Sequence, residues 1–332
     1  MNTKFFLAVV SSFILHPSAF GQGALTPPGA PAPTMKTLAQ LDAKLDPRTP
    51  ISSVPFNITQ AGSYYLTTNV TTTVGNAIVI TANGVTLDLS GFTIASTVAS
   101  AANGGAAILL QGTATAGLSD ITIFNGHIRG GVTNNGNGVY SGNGFAYGIF
   151  YSSTAPGNVL VSKVSVSGCL LYGIYLNTIE AAVVEGCTVR TVGNNGIVAS
   201  TIKSCVAVDC GITAIYGSQV SDCRGESTGG GSGINASTAQ NCYGYTTGGG
   251  SGLIASTAQN CYGYSGSGIG LYANYTASGC FGYSSSGTGL SAYNASFCTA
   301  TRSGGTAIHA TIANGCIAQG GTNIVTYKYN MP

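Results

Sequence analysis

Charge is what this 332-residue chain has least of: Asp, Glu, Lys and Arg together make up 6% of it, and the net charge is +2. Such a surface offers no electrostatic case for nucleic acid or anionic lipid as a partner. Proline is missing from Gly157 to Met331. Because proline cannot donate to a β-ladder, that gap marks a span in which pairing can run unbroken. Beyond Phe5 to Leu15 no apolar run approaches 18 residues, which argues against a transmembrane helix. Several chemical motifs are absent as well. No GxSxG elbow places a serine for attack, no CxxC pair suits zinc, and no DD or DxD pair of aspartates occurs.

What the chain has is cysteine at a fixed interval. Cys169, Cys187, Cys205, Cys223, Cys242, Cys261, Cys280, Cys298 and Cys316 follow one another at 18 or 19 residues. A unit of that size cannot bury a core alone, so each is read as one coil of a stack. Three before each cysteine stands Val or Ile up to Val220 and Ala from Ala239 on, and two after it Leu171 and Val189 give way to Ala and Gly from Ala207 on, so the interior narrows to small residues. From Cys187 onward an aliphatic comes about ten residues after it, as in Gly233-Ile234-Asn235-Ala236. Apolar residues two apart are the signature of strands. The 50 glycines exclude a helical reading, since each would cost ~1 kcal/mol in a helix. Repeating strands at one phase must pair in parallel, about three short strands to a coil.

The ends differ from this pattern. Residues 1–21 carry Lys4, the apolar run and Ala19-Phe20-Gly21, and read as a signal peptide. Residues 22–34, with four prolines, read as a linker. Met35, Leu38, Leu41 and Leu45 predict a short helix within an N-terminal cap over 35–66, with the solenoid proper over 67–332 and its most regular coils over 166–326. Tyr327 and Tyr329 are placed to plug the last coil. Export would expose ten cysteines to an oxidising compartment. Stacked side chains pointing the same way cannot face one another across a disulfide, however, so buried free thiols are expected. Cys210 falls outside the series.

Gly84-Val85-Thr86-Leu87-Asp88-Leu89-Ser90-Gly91-Phe92, Asn125-Gly126-His127-Ile128-Arg129-Gly130 and the Asn-Cys-Tyr-Gly-Tyr repeats resemble exported bacterial proteins with right-handed parallel β-helix repeats, within the pectate-lyase-like class. The resemblance covers about residues 35–332 and implies an all-β, single-stranded, right-handed parallel β-helix. Pectin-cleaving members, it also implies, use clustered aspartates or a basic residue beside carboxylate-bound calcium. Here the acids are scattered. Glu180, Glu185, Asp209, Asp222 and Glu226, with Arg224, form the best catalytic candidate, against a reading of solvated ion pairs in which Glu185 and Lys203 share one outward column. Asp88 reads as a turn cap before Ser90-Gly91, and His127 with Arg129 as outward residues. The glycine turns Thr228 to Gly233 and Thr247 to Gly252 hold no acid, so they do not suit calcium. No metal or cofactor is expected.

The strongest candidate for binding is aromatic. Tyr243, Tyr262 and Phe281 stand one residue after the cysteine, and Tyr245, Tyr264 and Tyr283 three after it. These predict two outward columns at the ~4.8 Å rung spacing. They suit a polysaccharide or a cell-surface partner, or equally they stabilise the sheet by contact with each other. Two functions follow: an exported noncatalytic solenoid, structural or adhesive, or a lyase or glycoside hydrolase acting on a pectin-like polymer.

Overall fold

The computed structural model describes Thr37 and residues 46–112, 117–152, 157–178, 181–302 and 305–331. The expected signal peptide, linker and capping helix lie outside the described residues. Contacts divide the chain into residues 1–47 and 48–332, and the second unit is a parallel β-solenoid of about 14 turns among the described residues. No described helix is long and apolar enough to cross a membrane. Stacking begins early. Thr49–Ile51 already pairs with Gly62–Leu66, inside the span expected to form the cap.

From Val184 onward the coils are regular, because Val184, Ile202, Val220, Ala239, Ala258, Ala277, Ala295 and Ala313 stack in register. Before that they are longer and uneven: Tyr64 stacks on Leu87, Leu87 on Ile123, Ile123 on Val161 and Val161 on Val184. The extra length goes into loops, and one of these is an antiparallel hairpin of Gly131–Asn134 and Tyr140–Asn143.

Each regular coil holds two strands, where three were expected. One example is Ile234–Gln240 followed by Tyr243–Thr246. The first strand serves two walls because it bends without losing its ladder: Ala236 pairs with Ala255 and Thr238 with Thr257, while Ser237 and Ser256 sit at the bend. Ile234, Leu253, Leu271, Leu290 and Ile308 are fully buried on one wall and Ala239, Ala258, Ala277, Ala295 and Ala313 on the next.

The corner into the cysteine wall is a single left-handed residue. Gly186, Ser204, Asp222, Asn241, Asn260, Gly279, Phe297 and Gly315 occupy it at φ of 50 to 61°. Glycine and short polar side chains suit this conformation, and the run of G, S, D, N, N, G immediately before successive cysteines was a readable signal for it. Phe297 breaks the rule. It is 70% exposed, so its ring gains little there. Phe297→Gly is expected to stabilise the protein by about 1 kcal/mol, read as a raised midpoint in urea; an unchanged or lower midpoint would mean the ring contributes more than its backbone costs.

At the C-terminal end the inward columns turn polar. Asn323 stacks on Ile308 and Lys328 on Ala313, so a further coil of the same kind would meet an amide and an ammonium where it needs apolar surface. Tyr327 and Tyr329 do not plug this coil; each is 56% exposed, because the register directs them outward over Ile312 and Asn314.

Candidate functional site

All ten cysteines are buried free thiols. Eight of them, Cys187 to Cys316, follow the left-handed corner and form one column. Cys169 does not belong to it. It pairs with Val192, which pairs with Cys210, so the two cysteines share a different wall; the place below Cys187 is taken by Val164, since Ser165 pairs with Thr188. The interval of 18 residues between Cys169 and Cys187 is accidental, because the coil separating them on each wall is longer than that.

The corner explains why cysteine recurs there. Each thiol donates to the carbonyl two residues back: Cys205 to Lys203, Cys223 to Ser221 and Cys242 to Gln240, all at 3.0 Å. Backbone N–H groups also donate along the column, from Cys187 to the sulfur of Cys205, Cys205 to Cys223 and Cys298 to Cys316, each at 3.4 Å. A small apolar side chain that is both a weak donor and a weak acceptor fits a buried turn with unspent polar groups. Where no neighbouring thiol intervenes, burial alone pushes the Cys169 thiol up to about 12.

Beside this column stand the two aromatic ladders, in the register expected. Tyr243 pairs with Tyr262 and Tyr262 with Phe281; Tyr245 pairs with Tyr264 and Tyr264 with Tyr283. Ring centroids are 4.7 to 4.9 Å apart with interplanar angles of 8 to 18°. The rings therefore stack on one another along the solenoid, and their faces are turned to each other more than to solvent. A continuous flat apolar strip is not what forms. Edges and hydroxyls face outward, and the ladders start on an ion pair, since Arg224 stacks under Tyr243, Glu226 under Tyr245, and Arg224 Nε donates to Glu226 Oε1 at 2.7 Å. The guanidinium also lies 5.6 Å from the Tyr243 ring centroid.

A groove of ≈ 670 Å³ runs between the first ladder and the left-handed corner. Tyr243, Tyr262 and Phe281 form one side, Asp222, Asn241 and Asn260 the other, and Cys223, Cys242 and Cys261 lie at its base. Asn241 Nδ2 donates to Asp222 Oδ1 at 3.0 Å, which ties successive corner residues together.

The catalytic candidates are dispersed among separate roles. Asp209 Oδ1 accepts from Asn134 Nδ2 at 2.7 Å and from the Tyr140 hydroxyl at 2.9 Å, and its Oδ2 from Thr191 Oγ1 at 2.8 Å. Thr228 adds a fourth contact at 3.2 Å. Partial burial works against the Asp209 carboxylate, but these bonds outweigh it and hold its pKa below the ordinary value. Its function is to pin the hairpin to the solenoid wall. Glu185 and Lys203 are register partners, as expected, and Glu180 lies outside the described residues. Asp88 caps its turn by accepting from the Ser90 N–H at 2.7 Å and pairs with Arg48 at 3.1 Å. His127 and Arg129 point outward from Ser119–Arg129.

A further aromatic cluster was not anticipated from sequence. Tyr147 and Phe150 stack at 4.1 Å, and Tyr172 and Tyr175 join them at 4.8 to 6.4 Å. It escaped notice because the coils that bring these rings together are of unequal length.

No family model matches the chain, and neither does any curated protein. Among solved structures it is similar to ORF18 of Geobacillus virus E2, at 13% identity and a TM-score of 0.45, over 82% of this chain and 54% of that one. The chain thus matches about half the length of the viral protein.

Proposed function

We propose that this protein is an exported, noncatalytic solenoid that holds an extended polysaccharide in the groove between the Tyr243, Tyr262 and Phe281 ladder and the Asp222, Asn241 and Asn260 corner. The observation that carries this reading is the pairing of an aromatic wall with an amide wall on successive rungs, Tyr243 beside Asn241 and Tyr262 beside Asn260, continued by Arg224 beside Asp222 below and Phe281 beside Gly279 above. A polymer with repeating hydroxyl-bearing units can meet the same donors and ring edges again and again, so modest contacts add along its length. Low charge favours an uncharged or weakly charged chain. The noncatalytic part of the proposal is supported by the engagement of Asp209 with four donors, of Glu226 with Arg224 and of Asp222 with Asn241.

The test is retention of the purified protein on a panel of immobilised polysaccharides, scored for both binding and cleavage. Tyr262→Ala, on the groove wall, is expected to weaken retention about tenfold, corresponding to ~1.4 kcal/mol. Tyr264→Ala removes a ring from the second ladder, away from the groove lining, and should leave retention nearly unchanged. Equal retention by wild type and Tyr262→Ala would sink the proposal, and release of sugar fragments would revive the lyase or hydrolase reading.

A further inference from the structure

A second groove, of ≈ 490 Å³, lies over the bend of the first strand of the regular coils. It shares no lining residue with the groove beside the tyrosine ladder. Tyr216, Asn235, Ile254 and Tyr272 occupy successive rungs of one outward column, so Tyr216 and Tyr272 stand three rungs apart, ~14 Å at the spacing of a sheet. Between these aromatic ends the bend carries only Ser237 and Ser256. Each end is closed by a particular contact. Beside Tyr216, Ser218 Oγ donates to the Thr178 carbonyl at 3.3 Å, which holds the chain after Ile174–Tyr175 against the groove. At the other end the Leu271–Ser278 strand has two residues, Asn274 and Tyr275, where the rungs on either side have one, Ser256 and Tyr293. Bulges re-aim side chains. Here the Tyr272 hydroxyl donates to Asn274 Oδ1 at 3.4 Å, which occupies the carbonyl and leaves the amide N–H groups to donate elsewhere.

The lining contains no Asp, Glu, Lys, Arg or His, so a charged ligand meets no opposite charge there. It offers amides and hydroxyls, which both donate and accept. Asn235, Ser237 and Ser256 spend none of this capacity on the protein, since among the described residues their side chains make no hydrogen bond. Ile254, between Asn235 and Tyr272 in the column, adds an apolar patch at the centre. Neutral sugars carry the matching combination, with hydroxyls around the rim of a ring and C–H groups on its face.

We propose that this groove binds a short neutral oligosaccharide, about three sugar units in the ~14 Å between Tyr216 and Tyr272. Its hydroxyls meet Asn235, Ser237, Ser256 and Asn274, and one ring face rests on Ile254. The volume is that of a small-molecule site. Because the two grooves have no residue in common, this site stands whether or not a polymer occupies the ladder groove.

The experiment is calorimetric titration of the full chain, with saturation-transfer NMR alongside, using cellotriose, xylotriose, maltotriose and triacetylchitotriose, and trigalacturonate as the charged counterpart. At least one neutral trisaccharide is expected to bind and trigalacturonate is not. Asn235→Ala with Asn274→Ala removes two hydrogen-bonding side chains and should weaken that trisaccharide about tenfold. Should the double variant disturb the bulge, Ser237→Tyr fills the groove from an exposed position and should abolish binding. Tyr262→Ala, which alters only the ladder groove, should leave the trisaccharide unaffected while lowering polysaccharide retention, so the two sites fail separately. Absence of binding by all four neutral sugars, equal binding by trigalacturonate, or undiminished affinity in the groove variants would overturn the proposal. Loss in Tyr262→Ala alone would also overturn it, by placing the sugar in the ladder groove.

Discussion

Gly263→Val is expected to unfold the central coils. A Cβ added to Gly263 would lie 2.1 Å from the carbonyl oxygen of Gly270, 2.7 Å from its carbonyl carbon and 3.0 Å from the Leu271 Cα, all of them backbone. No side chain can swing aside to make room. The clash is therefore met by separating the Tyr262–Ser265 strand from the chain that follows it within the same coil, which also pulls Gly263 away from Gly244 and Gly282 in its ladder. Overpacking of this kind costs 1–3 kcal/mol where side chains can adjust, and about 4 kcal/mol or more is expected where only backbone is in the way. Since each coil of a solenoid is stabilised by its neighbours, the loss should spread to the adjoining coils and appear as a low-temperature phase in thermal unfolding, with new protease cleavage between about residues 245 and 285. Gly230→Ala provides the control: its added Cβ meets nothing within 4 Å, and it should melt with wild type. A Gly263→Val protein that melts within a degree or two of wild type would refute the packing argument.

Asp209→Ala should release the hairpin of Gly131–Asn134 and Tyr140–Asn143 while leaving the solenoid folded. One carboxylate holds Asn134 and Tyr140 of the hairpin to Thr191 and Thr228 of the wall. Hydrogen bonds to a charged acceptor contribute about 1.5–3 kcal/mol each when made, and less where solvent competes, so a local loss of about 2 kcal/mol is expected. Hydrogen exchange of the amides over 131–143 should then quicken some 30-fold, with the amides of Ile215–Ser221 unaffected. The same tether is pH-dependent. The Asp209 pKa is lower in the folded chain than the ~3.9 of a free aspartate. Its stabilisation is therefore complete above about pH 4 and is lost as the pH falls through the folded value. Faster exchange in the hairpin should begin only below that point in wild type and show no such step in Asp209→Ala. Unchanged exchange in the variant at neutral pH would show that the hairpin is held by something other than this carboxylate.

The parallel stack, its coil length and the inward cysteines were legible because each rests on local periodicity. A strand alternates every two residues, a regular coil returns every 18 or 19, and the register found between Val184 and Ala313 keeps that interval, with the one extra residue of Leu271–Ser278 taken up as a bulge between Ala273 and Thr276. The tyrosine columns were readable for the same reason. How the rings face was not, since phase along a strand states only that Tyr262 points away from Gly263. Its stacking on Tyr243 and Phe281 at 4.9 Å depends on side-chain rotation settled by rung-to-rung contact. Asp209 looked like a member of an acidic cluster, and only the return of a hairpin some 70 residues earlier in the chain revealed it as a tether.

By itself, then, the sequence determined the regular coil and its inward and outward faces, because both follow from backbone geometry applied over a few residues at a time, whereas the loss of proline after Pro156 did not mark the start of pairing, which already includes Pro50. Only the tertiary structure decided which cysteines share a wall. Residue spacing measures length along the chain, whereas stacking is counted in rungs, and wherever a loop swells one coil the two measures separate. Cys169 is 18 residues from Cys187 and on a different wall, while Cys210, out of step with the repeat, lies in its column two rungs away.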